Sequence, residues 1–531
     1  MHSGESEADV ANIFKDVARH SKMFETTCYV VIVMACCFGA VIHVYIRSPL
    51  WLDEALTISI AREPVSLIPH YLKHDGAPPL FYVMLHFWLY FVSDTQASAR
   101  YFVSLIGLAN IPVVYFVGKK IEDSLSIKKN RSLSWTLIVL ILTSPFDVYY
   151  STDVRMYGLL ILLTGFGIIA LLKVQEKPTV LNVGALSLVT GLLLYSHYWA
   201  LYLIFVVGLG LAIGFIISNK KREIAYSIVG IVIGCLTFIP WLPIFMFQTK
   251  HTGTPWAKTT GFAAVIHTVT QFAGGPTTSG RLVALIYFFI IILSIFGMTY
   301  SQTEILLNLK TVKGVRAYFL VFLASLILAL VGGIISKSTY SDRYTSIVFL
   351  PLLVVVAYGF RIIGSNRIRV GAITAVAVCG AVASWPNAVN SRSESQLVAS
   401  YINSKSSSGS LVIYCPDQLG PAVSELVTAN VRQYSFPNFG DPHFVDWVDY
   451  AARNRSANVD QFVNKIIAMA NSKPVFFVWE EGYLTFGTAC ETIAADLQAR
   501  YGQSIQAVSD QPLLYYEHEH LSVYGNLKKL R

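Results

Sequence analysis

At 531 residues the chain is long enough for several soluble domains, but 54% of its residues are hydrophobic, only 14% are charged and its mean hydropathy is +0.54, so lipid is its main solvent. The net charge of +8 does not point to nucleic acid, because the basic residues are scattered between apolar runs and form no continuous basic, aromatic-studded surface. The seven cysteines include no Cys-x-x-Cys, which argues against a structural metal site; Cys28, Cys36, Cys37, Cys235 and Cys379 lie in apolar segments, Cys415 and Cys490 in a polar tail.

Residues 1–26 are polar, and the stretch from Met1 to about Lys22 is too long and too acidic for the n-region of a cleaved signal peptide, so the first apolar run reads as a retained helix. A hydrocarbon core of about 30 Å needs roughly 20 apolar residues per helix, and about eleven runs qualify. They lie near 27–47, 97–118, 133–150, 156–172, 179–196, 198–218, 225–246, 281–300, 315–335, 343–360 and 370–386. Lysine and arginine near helix ends stay preferentially in the cytoplasm. With the N-terminus inside, the inner connections carry Lys119, Lys120 and Arg131, then Lys173 and Lys177, then Lys220, Lys221 and Arg222, then Arg316, then Arg361, Arg367 and Arg369. The outer connections hold fewer.

Pro79 to Val92 is apolar but short for a span, and counting it as one would invert every later loop. It reads as an interfacial or re-entrant helix within a long outer loop, residues 48–95. From 387 to 531 the composition turns polar, and eleven spans from an inside start place this tail outside. Leu411 to Tyr414 and Val475 to Trp479 read as buried strands, and Pro421 to Val431 and Cys490 to Tyr501 as helices, so the tail reads as a small α/β domain. In that compartment Cys415 and Cys490 could pair, although their sequence separation says nothing about distance.

The chemistry-bearing residues stand at the outer ends of spans. In Leu50-Trp51-Leu52-Asp53-Glu54-Ala55, Asp53 could N-cap a helix that begins at Glu54. It could equally serve as a general base: a carboxylate in a partly desolvated cleft can take the proton of an attacking hydroxyl, and the two readings are compatible. Gly76 and two prolines make a rigid turn of His74-Asp75-Gly76-Ala77-Pro78-Pro79, which is either a punctuated loop or brings His74 or Asp75 to the same cleft. Tyr149-Tyr150-Ser151-Thr152-Asp153-Val154-Arg155 is a short turn between spans. Tyr150 and Asp153 are candidate substrate contacts there, and the forked guanidinium of Arg155, if it does not merely snorkel, suits the phosphate of a lipid-linked sugar. Tyr195-Ser196-His197-Tyr198-Trp199 is either an aromatic anchor or a second contact through His197 and Tyr198. Arg343, at the start of the tenth run, is an interface cation or a further phosphate ligand.

Taken in order, Leu50 to Ala55, Ala77 to Tyr82, Tyr150 to Tyr157 and Tyr195 to Tyr198 resemble motifs of the GT-C superfamily of membrane glycosyltransferases, in the branch of protein O-mannosyltransferases and the lipid A aminoarabinose transferase. The resemblance covers about residues 27–360 and implies an all-α polytopic membrane domain, here 27–386, with juxtamembrane helices in the first outer loop. It implies Asp53 as catalytic base with Glu54 as its neighbour, a polyprenyl-phosphate monosaccharide as donor, and inversion at the anomeric carbon. The donor sugar would be mannose- or arabinose-like. A cell-envelope glycan, glycolipid or protein would be the acceptor, at the plasma membrane of a bacterium. Metal dependence varies in that family, which leaves room for a divalent ion without predicting one. No Gly-rich nucleotide loop is present, as suits a lipid donor, and no nucleic-acid partner is expected. Many spans could equally line the path of a lipid-linked sugar transporter or flippase, and a further alternative is a non-catalytic membrane scaffold whose outer domain binds a partner. The singled-out charges cluster on outer loops rather than midway along spans, which favours the enzyme.

Overall fold

The computed structural model describes residues 4–126, 131–253, 261–296, 298–300, 305–307, 313–336, 340–511 and 517–525. Among them nine helices are long and apolar enough to cross a membrane: Lys22–Ile42, Gln96–Ser124, Tyr157–Glu176, Ala200–Ile217, Lys221–His251, Thr278–Phe296, Gly314–Ile335, Asp342–Ile362 and Asn366–Val389. Shorter apolar helices, Ser132–Leu142 and Val180–Ser196, occupy the other two expected runs. The chain is thus an all-α polytopic bundle followed by a small C-terminal sheet domain.

The third expected run, 133–150, is broken in two. Ser144 caps a new helix, Pro145–Tyr150, by accepting the Asp147 N–H at 3.4 Å, and Pro145 occupies a first-turn position where no N–H is needed. The Lys221–His251 run also changes pitch, passing through a 3-10 turn, Ile239–Trp241, at Pro240.

The helices differ in what they face. The most apolar window of Asp342–Ile362 is 89% buried inside the protein and that of Ala200–Ile217 only 17%, so the former is a central pillar and the latter turns its apolar surface outward, as lipid requires. Close crossings use glycine. A Cβ on Gly107 would lie 2.2 Å from Ser151 Oγ, and one on Gly380 would lie 2.3 Å from the Thr143 carbonyl oxygen, so at both points only a missing side chain lets the backbones meet.

The loop of residues 48–95 folds into three helices, Leu52–Arg62, Ile68–Asp75 and Leu80–Phe91. Ten of the eleven residues of the first are buried, so it is wedged between other elements. The third spans only about 18 Å at 1.5 Å per residue, too short for a bilayer. It buries Phe81, Tyr82, Leu85 and Leu89 and exposes Phe87, Tyr90 and Phe91, an arrangement suited to lying along the interface.

The C-terminal sheet has the strand order Arg432–Ser435, Leu411–Cys415, Val475–Trp479, His520–Tyr524, Ser504–Val508. The first three strands are parallel, with Leu411 opposite both Arg432 and Val475; the last two are antiparallel, with Trp479 opposite His520. Leu411 to Cys415 is buried on both faces, which is why it reads as an unbroken apolar run. Cys415 and Cys490 form a disulfide with Cα atoms 5.5 Å apart, joining the Leu411–Cys415 strand to the Ala489–Tyr501 helix. The helix expected over 421–431 is confined to Gly420–Ser424, because the Asn403 side chain captures the Thr428 and Ala429 N–H groups at 2.8 and 3.0 Å and turns the chain away.

Candidate active site

The two carboxylates after the first span have different surroundings. The helix carrying them starts at Leu52, with Trp51 as its N-cap, so Asp53 lies inside the first turn and caps nothing. That leaves its side chain for another purpose. Asp53 is 8% exposed; its Oδ2 accepts a hydrogen bond from Arg343 Nη1 at 2.5 Å, and Arg155 Nε lies 4.0 Å away. Arg343 belongs to the turn Asp342–Thr345 that opens the central pillar, so a rigid element positions it. Its guanidinium also lies 5.6 Å from the centre of the Trp51 ring.

Glu54 has no exposed surface. Its carboxylate accepts from Arg100 Nη2 at 2.7 Å, Arg392 Nη1 at 3.2 Å and the Val154 N–H at 3.0 Å. Arg392, itself 1% exposed, stacks on Tyr149 at 4.2 Å, donates to Thr152 Oγ1 at 2.8 Å and lies 3.5 Å from Asp153. Asp153 also accepts the Trp51 indole N–H at 3.0 Å. Burial, then the neighbouring Glu54, push the Asp153 carboxyl up to about 6. Two arginines and two carboxylates thus form a closed network that ties the first loop to the 151–156 turn and to the start of the C-terminal region. Arg100 and Arg392 escape sequence reading because nothing local distinguishes them from interface cations.

Arg155 reaches back as its short turn implies. Its Nη1 donates to Thr57 Oγ1 at 2.8 Å and Tyr82 Oη at 3.2 Å, and Tyr82 donates to Asp75 Oδ2 at 2.8 Å. Asp75 therefore approaches Asp53 through Tyr82 and Arg155, and burial raises its carboxyl pKa. His197 packs against Tyr344 at 4.9 Å between ring centres, and its Nδ1 accepts the Trp199 N–H at 3.1 Å. Burial and the nearby Arg155 and Arg343 lower it to about 3, so it is a neutral ring at any ordinary pH. The buried Tyr150 packs against Phe146 and Tyr157. Two other candidates sit elsewhere. His74 pairs with Asp446 at 2.9 Å, joining the first loop to the C-terminal domain; Tyr198 accepts the Trp241 indole N–H at 2.9 Å and bonds Gln248, whose Nε2 donates to the Leu72 carbonyl at 2.6 Å, bracing the helices Ile68–Asp75 and Leu242–His251.

A cavity of about 550 Å³ opens beside Asp53. Asp53, Arg343, Tyr150 and Asp153 line it from the bundle with Phe146 and Tyr149, and Gln418, Trp447, Glu480, Tyr483 and Glu517 close it from the C-terminal domain. The Leu52 N–H donates to Glu517 Oε1 at 2.5 Å, which places that carboxyl next to the Asp53 backbone. Among the described residues no group of three or more His, Cys, Asp or Glu side chains is arranged to hold a metal ion.

No family model matches the sequence, and no curated protein matches it. Solved structures do. The structure of ArnT from Cupriavidus metallidurans in the apo state superposes with a TM-score of 0.60 at 12% identity, over 94% of this chain and 98% of that one. The same protein bound to undecaprenyl phosphate superposes with a TM-score of 0.56 at 10% identity, over 94% of this chain and 97% of that one. The chain shares the fold of these structures over nearly its whole length.

Proposed function

We propose that the protein is an inverting glycosyltransferase that moves a monosaccharide from a polyprenyl-phosphate carrier to an acceptor hydroxyl at the outer face of the membrane. The observation that carries this reading is the pairing of Asp53 with Arg343 and Arg155 at the edge of an aromatic-walled cavity of about 550 Å³. The bound undecaprenyl phosphate of the Cupriavidus metallidurans ArnT structure supports a lipid phosphate as the carrier here.

The chemistry follows from the side chains. A sugar phosphate ester carries negative charge that grows on the phosphate oxygens as the bond to the anomeric carbon breaks. Arg343, which lines the cavity, is a fixed cation that stabilises the leaving polyprenyl phosphate without reorganising, and Arg155, 4.0 Å from Asp53 but outside the cavity lining, adds positive charge behind it. The acceptor oxygen forms its bond to the anomeric carbon from the opposite side, and its proton passes to Asp53. Arg343 links the two events. A phosphate that draws on the same guanidinium loosens its hydrogen bond to Asp53, so donor binding frees Asp53 Oδ2 to accept the proton of the attacking hydroxyl. Glu54, saturated by Arg100 and Arg392, has no lone pair to spare and acts by holding the Asp53 turn in place.

Sidedness rests on the distribution of Lys and Arg, which keeps the N-terminus in the cytoplasm and the tail outside, and the Cys415–Cys490 disulfide suits an oxidising outer compartment. We assign the division 1–26 cytoplasmic, 27–386 membrane-embedded and 387–531 extracytoplasmic on that ground. A mannose- or arabinose-like donor, a cell-envelope acceptor and a bacterial plasma membrane follow from the sequence resemblance. The test is purified protein with a panel of undecaprenyl-phosphate monosaccharides and cell-envelope extract. Covalent transfer of label is expected, with Arg343→Ala lowering it at least a hundredfold. Movement of labelled lipid across a bilayer with no covalent product would instead indicate a flippase.

A further inference from the structure

The cavity wall supplied by the C-terminal domain is assembled at one edge of its sheet. Gln418 follows the Leu411–Cys415 strand and Glu480 follows Val475–Trp479, so both stand beyond the carboxyl ends of adjacent parallel strands. Glu517 leads into His520–Tyr524, whose first residue pairs with Trp479, which brings it to the same edge. The chain leaves Leu411–Cys415 toward Arg432–Ser435 on one side and leaves Val475–Trp479 toward Ser504–Val508 and His520–Tyr524 on the other. The crevice between the two strands is therefore a topological switch point, where open α/β sheets place their ligands.

The polar atoms at this crevice are kept for something outside the fold. Gln418 is 2% exposed, and neither its Oε1 nor its Nε2 has a hydrogen-bond partner among the described residues. Glu517 is 5% exposed; one oxygen takes the Leu52 N–H and the other, Oε2, has no partner among the described residues. Both side chains line the cavity together with Trp447 and Tyr483. A side-chain amide offers two donors and two acceptor sites in one plane, and a carboxyl adds acceptors. With two aromatic side chains lining the same cavity, these are the groups that match a ring carrying hydroxyls and an apolar face.

We propose that Gln418 and Glu517, with Trp447 and Tyr483, form a sugar-reading wall that hydrogen-bonds the hydroxyls of a sugar ring held beside Asp53. The wall deepens the glycosyltransferase reading by making the C-terminal domain the specificity element, and it rests on that reading only for the ring's being a substrate. That ring belongs either to the donor or to the acceptor. A site built to bond a hydroxyl discriminates strongly against a ligand lacking it, because its own buried groups are then left unpaired.

The experiment uses the full chain in lipid nanodiscs and two variants, Gln418→Met, which keeps the volume and removes the amide, and Glu517→Gln. Three probes are bound without turnover: undecaprenyl phosphate, undecaprenyl phosphates carrying mannose, glucose or aminoarabinose, and the free methyl glycosides of the same sugars. If the wall reads the donor, wild type prefers one sugar-bearing lipid, and both variants weaken it about tenfold while leaving bare undecaprenyl phosphate unchanged. If it reads the acceptor, both lipids bind unchanged and a methyl glycoside is weakened instead. Gln418→Met is expected to melt at the same or a higher temperature than wild type, since it removes an unpaired buried amide; a merely structural glutamine would lower it. Equal loss of bare and sugar-bearing lipid, no sugar preference in wild type, or variants that bind every probe as wild type does would each overturn the proposal. Failure of bare undecaprenyl phosphate to bind would count against the carrier reading alone, with the methyl glycosides still testing the wall.

Discussion

Asp53 and Glu54 are neighbours in sequence with opposite economies. Glu54 spends its acceptors on Arg100, Arg392 and the Val154 N–H, and removing its charge strands two buried guanidinium groups, a change that costs about 3–5 kcal/mol. Glu54→Gln is therefore expected to lower the apparent melting temperature and the yield of folded protein, as measured by fluorescence-detected size exclusion during heating. Asp53→Asn should lower both by less, because Asp53 and Arg343 line an open cavity rather than a sealed network. Equal melting of the two variants would show that Glu54 is not the structural member of the pair. The juxtamembrane carboxylates, Arg155 and Arg343 were legible in the sequence because charge at the end of an apolar run is conspicuous. Arg100, Arg392 and Glu517 were not, because their meaning lies in partners 46, 338 and 465 residues away, which only the fold brings together.

The 151–156 turn carries Asp153 and Arg155 and rests against the Gln96–Ser124 helix at Gly107, where a Cβ would come within 2.4 Å of Ser151 Cβ as well as 2.2 Å of its Oγ. Neither atom lies at the end of a flexible chain, so the turn itself must shift. Gly107→Ala is expected to cost about 1–3 kcal/mol of stability and, by displacing Arg155, to raise the KM for the polyprenyl-phosphate donor more than tenfold. An unchanged donor KM would mean that the turn does not set the phosphate site. The short helix Leu80–Phe91 was readable from its length and its Pro-Pro start. The break at Ser144 was not, because its signal, a serine before a proline, is ordinary inside a membrane run where neighbouring helices decide whether a break is tolerated.

In the whole molecule, the C-terminal domain is joined to the first loop by the Arg62–Glu425 ion pair at 2.7 Å, the His74–Asp446 hydrogen bond at 2.9 Å and the Leu52–Glu517 bond. The polar tail announces a separate α/β layer, but the packing of its sheet edge over Asp53 is a tertiary fact that no local pattern encodes. Its interior is also sensitive to proton activity. Burial pushes the Asp417 carboxyl up to about 7, against the opposing Tyr450 hydroxyl and Arg453. The folded state then holds a proton that the unfolded chain releases near the ordinary carboxylate value, so this group favours folding below that value and loses the contribution as pH rises toward 7. Asp417→Asn should flatten the fall in melting temperature between about pH 4 and about pH 7, relative to wild type. A parallel fall in both proteins would contradict that assignment.

The central claim is that Asp53 accepts the proton of the attacking hydroxyl. Its most direct test is single-turnover transfer from an undecaprenyl-phosphate sugar by Asp53→Asn protein that binds bare undecaprenyl phosphate as wild type does. A loss of at least a thousandfold in the rate of transfer is the result expected of a missing base. Transfer within a few-fold of the wild-type rate would remove Asp53 from the reaction and leave it as a counter-charge to Arg343.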